Sequence, residues 1–143
     1  MRARRPRGDD GAATTEFVIA APAFLLMIML IIQAGLYFHA VSVASAAAQE
    51  GARAATLEGA SVSDGESEAS EFVQALAPDL LTNVGVSGNL TDGGELVRIT
   101  VTGDVAEVFR IPGVDIDFSV QETSEGARER FRPADEPAPS DSG

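Results

Sequence analysis

Nucleophilic and acid–base chemistry needs a nucleophile with a base beside it, and this 143-residue chain holds few of the parts. It has no cysteine, no lysine and a single histidine, His39. Without cysteine, disulfides and thiolate metal sites are excluded outright. Paired carboxylates can hydrolyse glycosidic bonds, but the acids here fall in loops or on the polar faces of alternating segments. Asp64, Glu66 and Glu68 lie close enough in sequence to suggest calcium. The placement of Gly65 and the missing ligand pattern do not fit an EF-hand loop, and a solvated helix start is the better reading. Asp115 and Asp117 share one face of an alternating run, where they can meet a cation from a partner. His39 stands alone at the end of an apolar run and reads as an interfacial residue, not a ligand. No catalytic residue, metal or cofactor is expected, and the chain reads as a non-enzyme.

The carboxylate whose position says most is Glu16. It stands immediately before Phe17–Phe38, 22 residues without a formal charge. At about 1.5 Å per residue that run covers roughly 33 Å, enough to span the hydrocarbon core of a bilayer. A buried helix of a soluble protein would carry a polar stripe, and this run has none. Glu16 is costly there if buried unpaired. Its plain reading is an interfacial carboxylate near a helix N-terminus, where the dipole favours negative charge. Inside the run, Pro22 frees the carbonyl of Val18 and predicts a kink or a loosened turn. Gln33 either hydrogen-bonds a neighbouring helix or lies near the outer interface.

The flanks orient the run. Arg2, Arg4, Arg5 and Arg7 crowd the start, and no further positive charge follows until Arg53. The positive-inside rule then places the N-terminus in the cytoplasm and the remainder outside, as a single-pass protein of the cytoplasmic (inner) membrane. Downstream of Gly11, six arginines face twenty acidic residues. Such a surface repels phosphate backbones, so no nucleic-acid partner is expected.

Just before the run the chain reads Gly11-Ala12-Ala13-Thr14-Thr15-Glu16-Phe17. An arginine-rich leader, Gly, four small residues, Glu, an aromatic residue and an apolar helix resemble the prepilin signal of type IVb (Flp) pilins. Gly11, Glu16, Phe17, Pro22, Gly35 and the stretch from Ala46 to Ala55, AAAQEGARAA, together resemble the TadE-like family of minor pilins or pseudopilins from tight-adherence systems. The resemblance spans roughly residues 8–57. It implies cleavage between Gly11 and Ala12 by a membrane aspartic prepilin peptidase, and two small residues suit an enzyme that must admit extended backbone. It implies that Glu16, the fifth mature residue, pairs with the free amine of a neighbouring subunit's Ala12, relieving the burial of both charges in lipid. Phe17 takes the family's aromatic position. The implied partners are the membrane, the peptidase, other pilin or pseudopilin subunits and the pilus assembly machinery, with a surface pilus as the destination after assembly. A secretory signal peptidase is the competitor, since Ala44-Ser45-Ala46 and Ala46-Ala47-Ala48 fit its site. The apolar run is too long for that pathway, however, and helical spacing accounts for the alanines.

These residues need elements to position them. From His39 to about Leu57 the chain stays helix-favouring, rich in alanine and free of proline. Ala40, Ala44, Ala48 and Ala52 lie four apart, as do Ala47, Gly51 and Ala55, so each set marks a face open to close approach by another helix or by the soluble domain. Gly59 to Gly65 reads as a loop, and Ser63 with Glu66 has the spacing of a capping box. A second, amphipathic helix follows, with Ala69, Phe72, Val73, Leu76 and Leu80 on one side and Pro78 ending or bending it. The period then changes to two. A first strand runs from Val84 and Val86 to Leu90, and Asp92-Gly93-Gly94 signals a turn. A second strand alternates Val97, Ile99 and Val101 against Arg98, Thr100 and Thr102. A third alternates Val114, Ile116, Phe118 and Val120 against Asp115, Asp117, Ser119 and Gln121, after a turn at Ile111-Pro112-Gly113. From Thr123 no period survives, and the proline-rich end reads as disordered.

The expected architecture is therefore α+β: a long N-terminal transmembrane helix with an alanine-rich extension, a second helix, a small three-stranded antiparallel sheet and a disordered tail. The expected divisions are a leader (1–11), a transmembrane helix (12–38), a helical stem (39–58), an extracytoplasmic head (59–122) and a tail (123–143). Two functions compete. One is an assembly subunit, a minor pilin or pseudopilin serving pilus assembly, tight adherence or secretion; the head favours it over a major pilin, usually a shorter chain. The other is an uncleaved anchored protein whose outer domain binds a ligand or partner.

Overall fold

One helix organises everything else. In a computed structural model, which describes residues 9–108, 113 and 116–128, helix α1 runs from Asp9 to Thr56 without a break. Of residues 9–14 only the helical backbone is described. The arginine leader up to residue 8, Ile111, Pro112, Val114, Asp115 and the tail from residue 129 lie outside the described residues. With 48 residues, α1 is about 72 Å long at about 1.5 Å per residue. Helix formers fill it, and the chain stays helical through Pro22. It stops where Gly59 adopts a φ of +80°, a conformation that costs glycine little.

Helix α2, Val62–Leu76, returns along the second half of α1. Its N-cap is Ser61, whose hydroxyl accepts from the Asp64 amide at 3.2 Å while the Asp64 carboxylate accepts from the Ser61 amide at 2.7 Å. The capping box thus lies two residues before the Ser63–Glu66 pair that also fits the pattern. Glu66 is used elsewhere: its carboxylate accepts from the Gly88 amide, 2.6 Å away on the sheet. At the other end the Ala77 amide still bonds the Val73 carbonyl, and Pro78 prevents a further turn.

Strands β1 (Leu81–Thr91), β2 (Leu96–Val105) and β3 (Ser119–Ala127) form an antiparallel sheet in the order β1-β2-β3. A short 3-10 turn at Asp92–Gly94 joins the first two. Central β2 alternates strictly: Val97, Ile99, Val101 and Val105 are buried, while Arg98, Thr100 and Thr102 face outward. β1 starts at Leu81, three residues before the expected Val84, and Leu81 itself joins the core.

The third strand requires a correction. The expected strand centred on Val114–Val120, but β3 begins only at Ser119 and continues to Ala127, into the stretch assigned to the tail. Its inward residues pair with the buried side of β2: Val120 with Gly103, Glu122 with Val101, Ser124 with Ile99 and Gly126 with Val97. These residues are mostly small because the strand rests on α1. A Cβ on Gly126 would stand 2.7 Å from Thr56 Cγ2 and 3.1 Å from the Ala52 carbonyl oxygen. The outer face is held by Arg98 Nε donating to Glu125 at 2.7 Å and by the Thr100–Thr123 hydroxyl pair at 3.1 Å. A strand selected for thinness and polar pairs carries little hydrophobic alternation.

The core lies between the sheet and the two helices. α1 contributes Ala40, Ala44, Ala47, Ala48, Ala52 and Ala55, α2 contributes Ala69 and Val73, and the sheet contributes Ile99 and its neighbours. Alanine on both helices lets them approach closely. At the crossing a Cβ on Gly51 would meet the Gly65 carbonyl oxygen at 2.6 Å, and one on Gly65 would meet that of Gly51 at 2.5 Å. Backbone touches backbone there.

Candidate functional site

α1 lives in two environments. From Gln33 to Ala55 one of its faces is covered by the head, with Gln33, Ala40, Ala44, Ala47, Ala48, Gly51, Ala52 and Ala55 all buried. From Thr15 to Ile32 almost nothing covers it: Phe17 is 72% exposed, and Ile19, Phe24, Leu25, Met27 and Ile31 are similarly bare. Water would penalise so large a continuous apolar surface, which marks a membrane or partner-helix contact. The helix is long and apolar enough to cross a membrane.

The residues singled out from the sequence fall into two separate groups. Gly11 and Ala12 lie in the first turns of α1, and Glu16 and Phe17 follow as exposed residues at the foot of the bare apolar surface. Ala40, Ala44, Ala48 and Gly51 lie in the other half, where they are buried beneath the chain's own sheet and α2. The structure therefore does not bring the two groups together; one rigid helix separates them. Asp64 belongs to the α2 cap, and Glu66 to its bond with Gly88. Among the described residues no cluster of His, Asp and Glu can hold a metal ion.

Charges on the stem stay on its outer face. Arg53 donates through its guanidinium to the Glu50 carboxylate one turn earlier. That hydrogen bond holds Glu50 below the ordinary carboxylate range and raises Arg53. Asp64 is likewise lowered, first by the Ser61 backbone amide and then by the Ser61 hydroxyl. None of these groups points into a cleft suited to catalysis; they trim the surface of a packed stem.

Gln33 hydrogen-bonds its own chain's head, where a neighbouring helix was one partner expected of it. Its side chain is buried, 2% exposed, and bonds the chain's own head. Nε2 donates to the Ala106 carbonyl at 3.2 Å, and Oε1 accepts from the Val108 amide at 3.0 Å. The connection leaving β2 is thereby fastened to the apolar half of α1. A signal exists in the sequence, because Gln33 shares a helical face with Ala40, Ala44 and Ala47.

This two-part helix coincides with a known family region. Residues 11–53 match the family model described as TadE-like protein. The N-terminal region of this chain is TadE-like. The match takes in the Gly11–Phe17 segment, the apolar run and the small-residue stem up to Arg53, and leaves out α2 and the sheet. No curated protein and no solved structure matches the chain.

Proposed function

We propose that this chain is a minor pilin or pseudopilin of a tight-adherence pilus system, matured by a prepilin peptidase between Gly11 and Ala12. The observation that carries the reading is the division of α1 within the TadE-like region: a bare apolar half preceded by Glu16, then a half whose small side chains are spent on its own head. Such a helix holds the subunit in lipid and later offers the same surface to other subunits' helices. On this reading residues 1–11 are a cytoplasmic leader, α1 crosses the inner membrane once, and the sheet and α2 lie outside. The arginines at the start and their absence between residues 8 and 52 support that orientation. Glu16 is the residue through which register between subunits is set, by pairing with a freed Ala12 amine.

The test is maturation and piliation in cells carrying a Tad/Flp system. Gly11→Phe should leave the chain at full length in the membrane fraction and remove it from sheared surface filaments. Normal maturation of that variant would refute the processing motif.

A further inference from the structure

We draw no further inference here: the strongest candidate, the outer edge of strand β1 with the groove between it and the polar face of α2, carries nothing, because Glu66 already takes the Gly88 amide on that edge and nothing in the structure shows what covers the rest.

Discussion

Gly51 and Gly65 set the distance between the two helices, and no other residue type fits either place. A Cβ at Gly51 meets backbone oxygen at 2.6 Å and the Ala69 Cβ at 2.8 Å, so a methyl group must push α2 away from α1. Gly51→Ala or Gly65→Ala should each destabilise the fold by about 1–3 kcal/mol through overpacking. This is despite alanine's higher helix propensity, which favours the variant by about 1 kcal/mol at an exposed site. Thermal unfolding of the full chain in detergent, followed by circular dichroism, checks both. At this scale the spacing of Ala47, Gly51 and Ala55 was legible, because helical periodicity reports which side chains share a face. Gln33 was not. An amide in an apolar run has several plausible partners, and the actual one lies 73 residues further along the chain.

Elements differ in how openly they declare themselves. β2 is fully readable because it is central, with one face packed and the other wet, so its side chains alternate without exception. β3 hides because its inner side fits against a helix at close range. Gly126 and Ser124 replace the branched residues that mark a strand, and the apolar run before Ser119 offers a stronger but misleading alternation. The start of α2 was displaced for a related reason. Two Ser-x-x-acid pairs compete for the cap, and only tertiary structure assigns Glu66 to Gly88. The same packing yields a contrast within β3. Gly126→Val has to displace Thr56 and the Ala52 carbonyl and should lower the denaturation midpoint by the equivalent of about 1–3 kcal/mol. Thr123→Val, on the exposed face three positions away in its own pair with Thr100, should stay within about 0.5 kcal/mol. Urea titration of both variants decides whether β3 is held by closeness to α1 or by its cross-strand pairs.

Taken whole, the molecule is a helix with a small head fastened to one end of it. The sequence declared the apolar run, the alanine-rich stem and the α+β class, since length, polarity and period are local properties. It could not declare where the head grips the helix, which depends on the long-range bonds of Gln33 to Ala106 and Val108. Nor does packing within one chain decide whether the bare half of α1 remains in lipid or moves among other helices. On the proposed reading that depends on removal of the arginine leader, which would free an amine at Ala12 to pair with Glu16 of a neighbouring subunit. The most direct measurement is the mass and N-terminal sequence of the protein isolated from membranes of cells with an intact Tad/Flp system. The account predicts a chain beginning at Ala12. A chain that retains its arginine leader, or one that begins among the alanines at 46–49, would contradict it.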